Sequence, residues 1–113
     1  MITIYHNTRC SKSREGLEIL EKSGKEYRIR EYLKQPLTQD EIRKLIEKLN
    51  VSALQLVRQN EIFWKENYKG KDLSDNEIIR ILANNPGLIE RPIIESGNSA
   101  VIGRPSSQIE KLI

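Results

Sequence analysis

Hydrophobic and polar positions change period along this chain in a way that marks out its elements. Ile2-Thr3-Ile4-Tyr5 reads as a strand. Over residues 11–23 the spacing becomes helical, with Ser13, Gly16, Leu17 and Leu20 on one face, and Ser23-Gly24 closes the helix by the glycine device. Tyr27-Arg-Ile-Arg-Glu-Tyr32 reads as a second strand. Strand, helix and strand in so short a stretch form a βαβ unit, so the two strands are expected to run parallel with a right-handed crossover.

Pro36 breaks the pattern, and three helix starts follow. Thr38-Gln-Asp-Glu41 is a capping box ahead of Ile42, Leu45, Ile46 and Leu49, spaced i, i+3, i+4, i+7. Ser52-Ala-Leu-Gln55 is a second box, expected to open a short helix reaching Val57-Arg58, and Ser74-Asp-Asn-Glu77 is a third, ahead of Ile78, Ile81 and Leu82. Glu61 to Tyr68 is expected to be helical, Lys69-Gly70-Lys71 to turn, and Asn84-Asn85-Pro86-Gly87 to end the helical block. Ile93-Ile94-Glu95 and Ala100-Val101-Ile102 flank Gly97-Asn98 as a hairpin, and a last short helix over 106–112 has Ser106 or Ser107 as its cap. The order is β-α-β, a helical block, β-β, α.

At 113 residues a single domain is expected. Hydrophobic residues make up 37% and charged residues 31%, an ordinary globular balance, and no apolar run approaches a membrane span. The formal charge is +3, but Lys and Arg are spread along the chain and a single Trp and a single Phe offer little for base stacking, so no nucleic-acid partner is expected. After Met1 the chain passes straight into a strand pattern without a basic and apolar leader, and its one cysteine cannot form an internal disulfide. A cytoplasmic, reducing location is the expectation.

That cysteine, Cys10, ends the loop His6-Asn7-Thr8-Arg9-Cys10 and stands immediately before a helix start, with Arg9, Lys12 and Arg14 each within four residues of it. A lone cysteine is most often a small buried hydrophobe. A helix N-terminus, however, offers unpaired N–H groups and partial positive charge, which favour thiolate over thiol and also suit a tetrahedral oxyanion. No metal, flavin or nicotinamide site is visible.

The layout is that of a thioredoxin-like fold, in which a cis proline opens the third strand beside the reactive cysteine; Pro92 stands at that place. His6-Asn7-Thr8-Arg9-Cys10-Ser11-Lys12-Ser13-Arg14 resembles the active-site loop of the glutaredoxin-coupled arsenate reductase family. Val57-Arg58, Glu90-Arg91-Pro92-Ile93 and Gly103-Arg104-Pro105 match its later signatures in order, over essentially the whole chain. The resemblance implies an α/β, thioredoxin-like core (1–35 and 88–113) with a helical insert (36–87) between the second and third strands. It implies Cys10 as the nucleophile that forms a thiol–arsenate adduct, with His6 near the sulfur favouring its ionised form. Arg58, Arg91 and Arg104 would bind the oxyanion, and Asn7, Ser11, Ser13, Arg14 and Pro92 would support the loop. Because the chain has no second thiol, glutathione and then glutaredoxin are implied as external reductants.

The chain departs from the family pattern at Thr8, where proline is usual, and at Ser11-Lys12, where arsenate reductases commonly carry Gly-Thr. These departures bear on the substrate more than on the fold. Two other readings accompany the reductase. One is a monothiol transferase acting on another small anion or a glutathionylated substrate. The other is a non-enzymatic regulator that binds RNA polymerase, from a sister branch whose members carry Cys-x-x-Cys where this chain has Cys10 and Ser13.

Overall fold

The computed structural model describes residues 1–113. The chain forms two compact units, residues 1–36 with 91–113 and residues 37–90. No helix is long and apolar enough to cross a membrane.

The first unit is built on a four-stranded sheet in the order β2-β1-β3-β4. Strand β1 (Ile2–Tyr5) pairs in parallel with β2 (Tyr27–Arg30) through helix α1 (Ser11–Ser23), and antiparallel with β3 (Ile93–Ser96). β3 turns into β4 (Ser99–Ile102), and helix α5 (Ser107–Glu110) follows. This is the β-α-β/β-β-α layout expected from the sequence. Gly97, at φ 61°, takes the first turn position, and Asn98 remains outside the left-handed region, the pattern of a type II′ hairpin. Ile2, Ile4, Leu20, Ile94 and Ile109 form the buried cluster of this unit, so β1, α1, β3 and α5 each contribute to one core. Ile109 is the buried side chain of α5, and its burial, worth about 2 kcal/mol, docks that short helix.

In the second unit, α2 (Gln39–Leu49) and α4 (Asp75–Asn84) pack together and α3 (Ile62–Asn67) is a short intervening helix. Both long helices start from complete capping boxes: Thr38 Oγ1 accepts from the Glu41 N–H at 3.1 Å, and Ser74 Oγ from the Glu77 N–H at 3.2 Å. Ile42, Leu45, Ile78, Ile79 and Leu82 are their buried positions.

Four expectations are corrected. β2 stops at Arg30 rather than Tyr32, because Glu31 enters a turn whose carbonyl accepts from the N–H groups of Lys34 and Gln35, and Tyr32 is buried from that turn. The Ser52-Gln55 box forms its bonds, yet it opens only a 3-10 turn over Leu54–Leu56. Val57 is drawn into an antiparallel bridge with Ile89, reinforced by Arg58 N–H to Leu88 O at 2.7 Å and Glu90 N–H to Leu56 O at 2.8 Å. That bridge puts residues 88–90 in the second unit. Finally, α5 spans only Ser107–Glu110, and Ser106 precedes it in a helical conformation without a side-chain cap bond.

Pro92 is clasped from two sides. A Cβ at Gly16 would meet Pro92 Cγ at 3.0 Å and Ile109 Cδ1 at 3.2 Å, and one at Gly103 would meet both of those atoms at 3.0 Å. Gly103→Ala is therefore expected to overpack this contact, costing about 1–3 kcal/mol and lowering Tm by several degrees. Gly87→Ala, whose Cβ meets nothing within 4 Å, is expected to leave Tm nearly unchanged. Equal melting temperatures for the two variants would contradict close packing on Pro92.

Candidate active site

β1 ends at Tyr5 in the middle of the sheet, and the chain turns through His6–Arg9 to start α1. Cys10 is the N-cap residue of α1, extended at φ −95° and ψ 123°, and no side chain caps the helix. No acidic residue lies in its first turn either, in contrast to the boxes of α2 and α4. The first N–H groups of α1 are thus left for a ligand at the helix end.

Those N–H groups act on the half-buried sulfur of Cys10. Burial is the largest single influence and pushes the thiol pKa up; the backbone N–H groups of Ser13 and Lys12, then the charge and hydrogen bond of Arg91, pull it down. The lowering influences prevail, so the pKa lies below the ordinary thiol value and the thiolate is favoured.

Arg91 reaches the sulfur because of topology. Tyr5 pairs with Ile93, so the start of β3 lies beside the end of β1, where the Cys10 loop begins. The Arg91–Pro92 peptide bond is cis, and Arg91 is half-buried. Arg104–Pro105 is a second cis bond, which the sequence reading did not anticipate. Arg104 is exposed, one residue past Gly103, whose N–H donates to the Pro92 carbonyl at 2.8 Å.

A buried hydroxyl braces the loop. Ser13 is fully buried; its Oγ accepts from the Asn7 N–H at 3.0 Å and lies 2.6 Å from His6 Nδ1. The hydroxyl thus ties the imidazole to the backbone of the loop through one oxygen. Asn7 Oδ1 accepts from the Arg9 N–H at 3.0 Å, the Asn7 carbonyl accepts from the Cys10 N–H at 3.0 Å, and Arg14 Nη1 donates to the Thr8 carbonyl at 3.0 Å. Burial lowers the His6 pKa, the Glu31 carboxylate raises it and Arg14 lowers it, with a net decrease. His6 is consequently neutral near pH 7, a ring that braces the loop rather than a cation beside the sulfur.

The fold thus brings His6, Asn7, Cys10, Ser13, Arg14, Arg91 and Pro92 to one end of the first unit, with Ser11 exposed as the first residue of α1. Arg58 belongs to the second unit, where Nη2 pairs with Glu61 Oε1 at 2.9 Å and Nη1 donates to the Gly87 carbonyl at 3.2 Å. The sequence reading placed Glu61 only at the start of a helix and missed its pairing with Arg58, although the i+3 spacing was available to suggest it.

Residues 5–112 match the ArsC family. The chain belongs to it. An arsenate reductase from Haemophilus influenzae is 35% identical over 99% of this chain and 98% of its own length, and one from Escherichia coli K12 is 36% identical over 99% and 80%. The Escherichia coli K12 protein YfgD, described as uncharacterized, is 40% identical over 99% of this chain and 96% of its own length. Among solved structures, arsenate reductase from Vibrio cholerae superposes with a TM-score of 0.95 at 35% identity, covering 99% of this chain and 97% of that one. The ArsC-family fold seen here is thioredoxin-like, with Cys10 at the start of its first helix.

The neutral His6 has a consequence for stability. Its folded pKa lies below the ordinary value near 6.5, so between the two the unfolded chain binds more protons and stability rises with pH. Urea unfolding is expected to show stability climbing through this window and levelling above about pH 6.5. His6→Asn should remove the climb; the same slope in that variant would show that His6 is not held neutral.

Proposed function

We propose that this ArsC-family chain reduces arsenate to arsenite with Cys10 as nucleophile and external thiols as the electron source. The observation that carries the reading is the Cys10 sulfur itself, seated on α1 N–H groups beside Arg91 and biased towards thiolate.

The thiolate attacks arsenic(V), forming an S–As bond while one arsenate oxygen leaves as water. A glutathione thiolate then attacks the Cys10 sulfur. An S–S bond forms, the S–As electron pair passes to arsenic, and arsenite departs as arsenic(III). The resulting Cys10–glutathione disulfide is opened by a second thiol, that of glutaredoxin, which regenerates Cys10. Two thiols are oxidised to one disulfide for each arsenic reduced. No second cysteine of this chain is available for either step.

Arg91 and Arg104 are assigned to the oxyanion, and Arg58 carries the same assignment from its motif. Guanidinium groups suit this work because they stay cationic and present forked donors. They offset the repulsion between thiolate and arsenate. His6, Asn7, Ser13 and Arg14 set the loop, and Pro92 sets the approach of Arg91.

Arsenate-dependent NADPH oxidation, coupled through glutathione, glutaredoxin and glutathione reductase, tests the reading. Wild type is expected to turn over and Cys10→Ser to be inactive, while Arg91→Lys should lose activity with little change in Tm because the charge remains and the fork is lost. Absence of turnover with arsenate, together with Cys10-dependent reduction of a glutathionylated peptide, would replace arsenate reduction by thiol transfer.

A further inference from the structure

Arg58 is held through both its backbone and its side chain. Its N–H donates to the Leu88 carbonyl at 2.7 Å beside the Val57–Ile89 bridge, and its carbonyl accepts from the Glu61 N–H at 3.1 Å. On the guanidinium, Nη1 donates to the Gly87 carbonyl at 3.2 Å and Nη2 pairs with Glu61 Oε1 at 2.9 Å. The group is gripped between the turn into α3 and the 3-10 turn over Pro86–Leu88. Glu61 stands at the N-cap position of α3, at φ −70° and ψ 137°, yet its side chain makes no cap bond. Glutamate is not among the side chains that cap well. Its carboxylate lies on Arg58 instead.

We propose that Glu61 is a positioning residue for the oxyanion, acting through Arg58: with the Gly87 carbonyl it clamps the two terminal nitrogens and so sets which N–H groups the anion meets. A free arginine side chain turns about several bonds, and a ligand that has to order it binds more weakly for that reason. The clamp orders it within the fold. One N–H on each terminal nitrogen is engaged, and the remaining donors of the guanidinium keep a fixed direction.

Two other roles for the carboxylate make different demands. As a contribution to stability the pair counts for little, because the Glu61 side chain is 41% exposed and ion pairs at such sites are weak. As a brake, the carboxylate would compete with the anion for the same donors, and its removal would tighten binding. As a positioner it offsets part of the Arg58 charge, so Arg58 serves the anion through directed hydrogen bonds more than through net charge. An amide in its place, which keeps an acceptor oxygen but no charge, distinguishes the positioner from the brake.

The proposal rests on the reading above for the assignment of Arg58 to the oxyanion, and its test separates the two. Arsenate is titrated calorimetrically into Cys10→Ser protein, where no adduct forms, carrying in turn Glu61→Ala, Glu61→Gln, Arg58→Ala and both alanine substitutions together. Glu61→Ala is expected to weaken binding about five-fold, the scale of one hydrogen bond, and Glu61→Gln to stay within about two-fold of the parent. Arg58→Ala is expected to weaken it about ten-fold, and adding Glu61→Ala to it to change nothing more. Melting temperatures of the Glu61 variants should stay within a few degrees of the parent. Unchanged binding in Glu61→Ala beside a weakened Arg58→Ala would overturn the proposal and leave the pair a surface contact. Tighter binding in both Glu61 variants would overturn it in favour of the brake. A further loss on adding Glu61→Ala to Arg58→Ala would also overturn it, because Glu61 would then not act through Arg58. Arsenate that does not bind, or that binds Arg58→Ala as tightly as the parent, would contradict the assignment of Arg58 itself, and the proposal would fall with it.

Discussion

Partial burial of the Cys10 sulfur works against its ionisation, and the surrounding structure is arranged to reverse that effect. Two N–H groups of α1 and the Arg91 guanidinium oppose the burial and prevail. The contrast among the helices explains how this is possible. α2 and α4 use side-chain oxygens and first-turn acids to satisfy their own N-termini, whereas α1 has neither. Leaving a helix start uncapped sacrifices stability, about 1 kcal/mol for a typical cap. Here the uncapped N–H groups act on the reactive sulfur instead, so the local loss and the chemistry have the same origin.

Everything else at the site keeps those donors in place. Ser13 joins the helix to the loop through one buried hydroxyl, held between the Asn7 N–H and His6 Nδ1. Arg91 is delivered by the antiparallel register of β1 and β3, and its direction is fixed where Gly16 and Gly103 allow close approach to Pro92. Sheet register, glycine packing and helix-end electrostatics thus converge on one sulfur. The same strand ends bring His6 and Glu31 to the lining of one cavity beside the loop.

Much of this was legible in the sequence where local rules act alone. The Thr38 and Ser74 boxes, the Gly24 stop at φ 74° and the Gly97 turn follow from side-chain and backbone preferences within a few residues. Reading failed where distant contacts intervene. The Ser52 box has the bonds of a helix start, but pairing of Val57 with Ile89 ends the helix after one 3-10 turn. Tyr32 looked like a strand residue, and its burial comes instead from the turn after β2. His6 and Cys10 were recognisable from their loop, but the hydroxyl between strand end and helix becomes a bridge only when both are folded.

The central claim is that the first turn of α1, together with Arg91, makes Cys10 a thiolate at lower pH than an ordinary cysteine. Absorbance at 240 nm, titrated against pH with Cys10→Ser as the blank for the tyrosines, measures this directly. The account predicts a single transition below the ordinary thiol value near 8.5, moving upward in Arg91→Met. A wild-type transition at or above that value would contradict it, since burial would then outweigh the donors that the helix start supplies.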